Sequence, residues 1–446
     1  MKTTTALCAL TLLAGVFAAN AQAEATVYIP RLSTIPRLAE QAECVVVGKL
    51  ARVENIKLNE PGIDFTTHPA KGVPSRQDGI SHIRREAVIT VTQTLKGQSF
   101  VAGGELRVVS LRQIQFDNYD ADMRTGDCLY FTTRRADGNL MILSEERGAI
   151  SASDNAGSLA PAVDLARRFI EASAANFDAR FSAIKSSLLS LITLNGSRAG
   201  LDACIELAWN WEDYAASVTA ADKQTLLNLA KQSAPGSSER VELIHAVGRH
   251  KPDGALQDLL GVLLSDGAFN TTSITAWAME SVDRRPAVDM MIAAFDGATT
   301  GQKMLLVRAL GLVQPKASYE GAEVRTAACN CVAGLLVASS DETVLREALI
   351  AARNMWAGKE LTSQLKNLID NRSSNGISDE ALKGAIVALA TSRVKVGEGL
   401  KAVDVIFERS YLNNLAAEDP TLKQVVDCAL IYPYTMLIND IEGRLR

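Results

Sequence analysis

The spacing of apolar residues changes near residue 159, and this change limits the chain to a β-rich part followed by a helical part. Before it, runs of β-branched and aromatic residues alternate with turn formers, as in Cys44 to Val53 and Arg85 to Thr94. After it, apolar residues recur with helical spacing, first from Ala160 to Ala175. The sequence therefore predicts an α+β multidomain fold, with a small N-terminal β-barrel followed by an all-α array.

The β-rich part is predicted to span residues 24–155. A short helix from Leu32 to Gln41 precedes the first strand, and polar residues 55–81 form a long loop after it. Three further strand patterns follow the first two: Glu105 to Leu111, Cys128 to Thr133 and Leu140 to Leu143. About five strands at hairpin-like spacing predict a small barrel that is closed or nearly closed.

Three short motifs of the β-rich part carry a resemblance to a known domain. They are Val-Val-Val-Gly-Lys at 45–49, Ala-x-Ile-x-Val-x-x-Thr-Leu-Lys-Gly at 87–97 and Gly-Asp-x-Leu-Tyr-Phe at 126–131. In this order they resemble a domain of exported bacterial proteins with an OB-type or netrin/metalloproteinase-inhibitor-type barrel. The resemblance implies a binding module and brings no catalytic residue with it.

The helical part is predicted as a connecting helix over 156–177 and a repeat array over 178–446. Ser273 to Val282 and Pro286 to Phe295 form one helix pair, and His245-Ala-Val-Gly248 is echoed by Arg308-Ala-Leu-Gly311. The first three units start about thirty to thirty-five residues apart, a spacing typical of two-helix solenoid repeats, and the later starts are less regular. Their starts lie near Ser238, Ser273, Gln302, Val324, Thr343 and Glu380.

These units resemble HEAT-type repeats, in which an Ala- and Leu-rich helix, a short turn and a second helix end at Asp-Gly or Asn-Gly. Their lengths vary, so the expected form is an irregular α-α superhelix. Stacking buries the surplus apolar face of each helix pair and leaves an extended concave surface that suits a protein partner.

The N-terminal residues predict export. Met1-Lys2 is a short basic segment, Ala6 to Ala19 is apolar, and Ala21-Gln22-Ala23 fits a small-x-small cleavage site. We therefore expect a signal peptide over 1–23 and a soluble periplasmic or extracellular protein that begins at Glu24. The apolar run is shorter than the ~20 residues of a membrane span, so no membrane insertion is expected after cleavage.

The charge and the cysteine content narrow the possible partners and the possible cross-links of the protein. Loss of Lys2 with the leader changes the formal charge from −5 to −6, and no basic run is present, so nucleic acid is not an expected partner. Cys44 and Cys128 each open a strand pattern, which makes them candidates for a disulfide between neighbouring strands. The alternative is two buried thiols that pack as small apolar residues.

Residues that could carry catalysis are scarce. Only four His residues occur, and His245 and His250 lie five apart, which is a poor spacing for two ligands on one helix face. Gly397-Glu398-Gly399 imitates a dinucleotide fingerprint, but no second βαβ unit follows, so a loop between helices is expected. We predict no catalytic residue, no cofactor and no enzymatic activity.

Two clusters remain as candidate binding sites. Asp117, Asp120 and Asp122 lie in an acidic loop that could supply oxygen ligands to calcium, although EF-hand spacing is absent; the alternative is a solvated loop. Trp209, Trp211 and Tyr214 form the aromatic cluster predicted to contact a partner, with one Trp in the core and the other partly exposed; that role rests on the enrichment of aromatic residues at interfaces.

The function predicted from these features is that of an exported, non-enzymatic binding or scaffolding protein that engages a protein partner through the helical array. The alternatives are a secreted enzyme inhibitor and a hydrolase of the cell envelope. The scarcity of His weakens the hydrolase. The inhibitor is weakened because the netrin-like inhibitors begin with Cys, whereas this chain is expected to begin at Glu24.

Overall fold

The computed structural model describes residues 33–57, 83–110, 126–134, 138–143, 147–194, 196–313, 322–338, 341–355, 359–391, 393–396, 403–406 and 408–431. Contacts divide the chain into two units between Val218 and Thr219. We call described residues 33–218 the sheet unit and described residues 219–431 the array. The predicted boundaries at 155 and 177 both fall within the sheet unit, so the first helices after the sheet are grouped with it.

The sheet unit is built on an antiparallel sheet in the order β3-β2-β1-β4-β5, with β6 also paired to β4. Because the end strands β3 and β5 contact each other, the sheet is curled. Its strands are β1 (Cys44–Lys57), β2 (Ile83–Lys96), β3 (Glu105–Ser110), β4 (Asp127–Arg134), β5 (Leu140–Ile142) and β6 (Ala149–Ser151). The predicted order of a β-rich part followed by helices is confirmed.

Both faces of this sheet contain buried residues. Every second residue of the strands forms one apolar core, as with Ala87 and Ile89 of β2 or Cys128 and Tyr130 of β4. Residues of the opposite face, such as Val88, are buried as well, because helices cover that face. Helix α1 (Ile35–Gln41) contacts β4, and α2 (Ala160–Ala175) contacts β2.

The register of β1 and β4 corrects the disulfide prediction. The two strands are neighbours, as the prediction required, but Cys44 lies opposite Thr132 and Cys128 lies opposite Gly48. Four residues of strand separate the two positions by roughly 13 Å, beyond the Cα separation that a disulfide spans. Both residues are buried thiols, and burial raises the pKa of the Cys44 thiol.

Three more helices complete the sheet unit after α2. They are α3 (Arg180–Leu191), α4 (Arg198–Trp209) and the single turn α5 (Trp211–Tyr214). Helix α4 begins at Ser197, whose hydroxyl accepts the N–H of Gly200. It is buried on almost every side, so its polar residues need partners inside the protein.

The array contains helices that pack on the next helix and on the next but one. Contacts join α7 to α9, α10 to α12, and α11 to α13, which is the packing of a stacked helical solenoid. The helices are α6 (Ala220–Gln232), α7 (Ser238–His250), α8 (Ala255–Ser265), α9 (Phe269–Ala293), α10 (Thr300–Gly311), α11 (Ala322–Ala338), α12 (Glu342–Asn354), α13 (Lys359–Asp370), α14 (Arg372–Asn375), α15 (Asp379–Ala390), α16 (Arg409–Glu418) and α17 (Lys423–Ile431).

Helix α9 breaks where the sequence predicts a turn between two helices. Asp283 has an extended backbone, with φ −157° and ψ 110°, inside an otherwise continuous helix. Pro286 lies three residues further on and has no N–H to donate to the preceding turn. The break between Val282 and Pro286 is therefore a consequence of the proline.

The repeated motif at His245 to Gly248 and Arg308 to Gly311 ends in a glycine for a packing reason. A Cβ on Gly248 would lie 2.9 Å from the Cα of Ala278 on α9, and a Cβ on Gly311 would lie 2.7 Å from the Cα of Ala351 on α12. In both repeats, glycine is the residue that allows two helices to approach this closely.

The segment that imitates a dinucleotide fingerprint is flanked by two strands. β7 (Arg393–Val396) and β8 (Val403–Ile406) pair as an antiparallel hairpin after α15. The array therefore contains a short hairpin at the place where the sequence predicted only a loop between helices. Each strand has only four residues, too few for alternation to stand out from helical spacing. Among the described residues, no helix combines the length and the apolar composition that a membrane crossing requires.

Candidate functional site

The residues predicted as binding sites differ in where they lie and in how far they are buried. Asp117, Asp120 and Asp122 lie outside the described residues. Trp209 ends α4 and Trp211 begins α5, and both side chains are half-buried. Tyr214 is fully buried, so its predicted contact with a partner at the surface is wrong. The two tryptophans stay candidates for such a contact.

Tyr214 instead borders a cluster of charged residues that ties α1 to the helices after the sheet. We call Arg37, Glu40, Arg180, Glu206 and Asp213 the Arg37 cluster. The Arg37 Nε donates to Glu206 Oε1 at 2.9 Å, and its Nη2 donates to Asp213. Glu40, one turn along α1, lies 3.6 Å from Arg37 Nη1 and accepts from Arg180 Nη2 at 2.6 Å.

Glu206 is the most buried member of the Arg37 cluster. Its side chain is 0% exposed, against 28% for Glu40 and 41% for Asp213. Besides Arg37, its carboxylate accepts from the side-chain amide of Asn210, one turn further along α4. Because both carboxylate oxygens are engaged and none is open to solvent, Glu206 holds α1 and is not available to a substrate.

Asp202 forms a second anchor one turn before Glu206. Its carboxylate accepts the backbone N–H of Ile35 at 3.0 Å, Arg198 Nε at 2.6 Å and Arg147 Nη2 at 3.4 Å. Arg198 also donates to the carbonyl of Ser33 at 2.8 Å. Asp202 therefore fixes the start of α1, while Glu206 fixes its first turn.

Aromatic rings pack against the two arginines of the Arg37 cluster. The guanidinium groups of Arg37 and Arg180 lie 4.2 Å and 4.4 Å from the centre of the Phe181 ring. Phe181 packs edge-on against Tyr214 at 5.6 Å and against Phe169 at 5.5 Å. All three rings are buried, so they form an apolar inner side of the cluster, where ion pairs are stronger and a charge left without a partner is costly.

Burial and charge shift the pKa values of the cluster. Burial raises the pKa of Glu206 to about 7, although the charge of Arg37 and hydrogen bonds from Asn210 and Arg37 oppose this shift. Burial lowers the pKa of Arg37, but the Glu206 charge and the bond to Asp213 outweigh it and raise the pKa above its ordinary value. The pKa of Tyr214 is raised by burial and by the Glu206 charge.

The sequence does carry a signal for these anchors. Asp202 and Glu206 are spaced i and i+4 on a helix whose other residues from Ala199 to Ala208 are almost all small or apolar. Two carboxylates on one side of an apolar helix require buried cationic partners. Their partners Arg37 and Arg147 lie far away in the chain, so no local pattern identifies them.

The array has charge pairs that join helices packed on each other. Arg308 of α10 and Glu347 of α12 lie 2.6 Å apart, and Arg346 of α12 lies 2.6 Å from Glu380 of α15. Phe269, at the start of α9, is 61% exposed and lies 5.8 Å from the Arg308 guanidinium. An exposed aromatic beside charged groups is a candidate contact for a protein partner.

Within the described ranges, no group of three or more His, Cys, Asp or Glu residues could hold a metal ion. No protein-family model matches the sequence, and no curated protein matches it.

Proposed function

We propose that this chain is an exported, non-enzymatic binding or scaffolding protein that engages a protein partner through the array. HEAT-like repeats would supply an extended surface, and the sheet unit, as a barrel-like module, would be a second folded element of the scaffold.

The observation that carries the proposal is the stacking of the array helices. Each helix that packs on the next and on the next but one buries its apolar side and leaves its outer side in a continuous series. Phe269 and the charge pairs of α10, α12 and α15 lie on this part of the chain. Such surfaces recognise extended partners, because successive repeats each contribute a few contacts.

Site-specific photo-crosslinking tests where a partner binds. Phe269 is replaced by p-benzoylphenylalanine, and the mature full-length chain is irradiated in the native extracytoplasmic fraction. The matched control carries the same replacement at Phe177 of the sheet unit, which is 59% exposed and lies 3.6 Å from the Arg180 guanidinium. The two positions thus share chemistry and exposure and differ in the unit that carries them.

We expect position 269 and the exposed array positions Gln257 and Asn330 to capture one and the same protein. Position 177 should capture none. Replacement at Trp211 tests the remaining aromatic candidate in the same way. Capture from 177 or 211 alone would place the interface on the sheet unit. If no position captures a protein, the binding proposal fails.

Export is tested by N-terminal sequencing of the protein recovered from outside the cytoplasm. The expected first residue is Glu24, after removal of Met1 to Ala23. Recovery of a chain that begins at Met1 and stays in the cytoplasm would contradict the export proposal.

A further inference from the structure

Helix α17 is the last described helix, and it carries apolar residues on two sides. Its inner side, with Val426 and Ala429, is buried where α17 packs on α15 and α16. Val425, Cys428 and Ile431 follow at intervals of three residues around the outer side. Val425 and Cys428 are half-buried, and Ile431 is 65% exposed. Apolar residues on both sides are typical of a helix that has a neighbour on each side.

The residues that follow α17 carry the sequence pattern of an amphipathic helix. Apolar residues recur at the first, fourth, fifth, eighth and twelfth positions of the segment 434–445: Tyr434, Leu437, Ile438, Ile441 and Leu445. This spacing predicts that all of them share one side of a helix, with Asn439 on the opposite side. A helix as short as this one is marginal by itself in water and gains its stability by packing on an apolar surface.

The connection to α17 favours a hairpin of two antiparallel helices. Pro433 disfavours helical backbone at the residue before it, which agrees with the end of α17 at Ile431. Tyr432 and Pro433 then form the connection, and helical hairpins have loops of about two to five residues. A helix over 434–445 would be about 18 Å long, enough to cover the ~14 Å of α17.

Charge and position fit the same antiparallel arrangement. Counted back from the connection, Leu437 comes level with Cys428, and Glu442 comes level with Lys423. The side chain of Lys423 is 63% exposed and its charge is shared only with the exposed Asp427 of the same helix among the printed ion pairs of α17. An acid opposite this lysine would add a favourable pair at the far end of the hairpin.

We propose that residues 434–445 form a helix that folds back on α17, covers its outer apolar side and closes the C-terminal end of the array. A segment joined to α17 by two residues has an effective concentration in the millimolar range, which favours it over a separate molecule. Terminal units of solenoids present a polar outer side, and the side that carries Asn439 would provide it. This inference is independent of the partner proposed for the array.

The thiol of Cys428 reports on the proposed contact. Its labelling by N-ethylmaleimide in the purified full-length chain is followed by mass spectrometry. Leu437→Asp places a charge on the apolar side of the segment and should release it from α17. Because the open state of such an equilibrium is populated at about 0.1–10%, labelling of Cys428 should become roughly 10-fold faster or more.

Two controls accompany this measurement. Asn439→Asp adds the same charge on the opposite side of the segment, so Cys428 should keep the wild-type labelling rate. Cys331 of α11 is also half-buried and serves as an internal reference, because its rate should be the same in all three chains. A change at Cys331 would show that Leu437→Asp disturbs the array as a whole, and Ile441→Asp then replaces it as the test variant.

A second readout does not depend on any variant. Hydrogen exchange of residues 434–445 in the wild-type chain should be roughly 10-fold or more slower than the intrinsic rates, because a docked helix must open before it exchanges. Exchange at the intrinsic rates would overturn the proposal, and so would equal labelling of Cys428 in wild type and Leu437→Asp. If protection of Cys428 increases with protein concentration and the chain dimerises, a second copy covers α17 and the proposal is wrong.

Discussion

The sheet unit and the array hold their helices together by different means. In the sheet unit, α1 is tied to α4 by the carboxylates of Asp202 and Glu206, both with fully buried side chains. In the array, helices approach closely at Gly248 and Gly311, and the pairs Arg308–Glu347 and Arg346–Glu380 are partly exposed, although Arg240 and Asp266 form one buried pair there as well. A buried ion pair depends on both partners and on pH, whereas a glycine contact depends only on shape.

This difference gives the two units opposite responses to acid. Burial raises the pKa of Glu206, so the contribution of this one group to the stability of the sheet unit should grow as the pH falls through about 7. In the array, hydrogen bonds from Thr300 and Thr421 lower the pKa values of Asp341 and Asp419, respectively. The array therefore loses stability when the pH falls below about 4 and these groups take up protons. Variants of each unit can separate the two behaviours.

The largest effect is expected for Arg37→Ala. Removal of Arg37 leaves Glu206 buried without its cation, which costs about 3–5 kcal/mol in unfolding free energy. The loss should be confined to the sheet unit and should be larger at pH 8 than at pH 5.5, where Glu206 is protonated. Hydrogen exchange of peptides from each unit measures it.

Arg168→Ala is the matched control for this loss. Arg168 pairs with Asp164 at 2.7 Å on α2, but the two side chains are 58% and 45% exposed. Exposed pairs contribute about 0–1 kcal/mol. Equal losses in the two variants would mean that the Arg37 cluster behaves as a surface pair, and the comparison of the units would fail.

The second-largest loss of stability is expected for Gly311→Ala in the array. The new Cβ would lie 2.7 Å from both the Cα and the Cβ of Ala351, so α10 and α12 must move apart. Overpacking of this kind costs about 1–3 kcal/mol. Urea unfolding followed by hydrogen exchange of the α10 and α12 peptides measures the loss, which should be the same at pH 5.5 and pH 8.

Gly334→Ala is the control, and it should change the free energy of unfolding in the opposite direction. Gly334 lies inside α11, and a Cβ there would meet no atom within 4 Å. Alanine in place of an unhindered helical glycine stabilises by about 0.5–1 kcal/mol. A stabilising Gly311→Ala would show that α10 and α12 do not pack at this distance.

The same comparison explains what could be predicted from the sequence. The order of strands and helices, the break at Asp283 and the repeated glycine motif follow from local spacing and from the properties of Pro and Gly. The register of Cys44 against Thr132 depends on how two distant strands pair, so residue patterns alone placed Cys44 and Cys128 too close together. The partners of Glu206 likewise come from distant parts of the chain.

The smallest effect is expected at the start of α12. Asp341 accepts the N–H groups of Thr343 and Val344 at 2.9 Å and 3.3 Å and the hydroxyl of Thr300 at 3.0 Å. These bonds lower its pKa, so the cap is complete above about 4 and is lost as the pH falls below that value.

Asp341→Asn keeps an acceptor at the cap position but has no proton to gain. Amide exchange of Thr343 and Val344 should accelerate below pH 4 in wild type and stay constant in the variant, after correction for intrinsic rates. Since Glu206 is already protonated at this pH, α1 should stay protected under the same conditions, and a parallel loss in both places would show that the two units do not respond to acid separately.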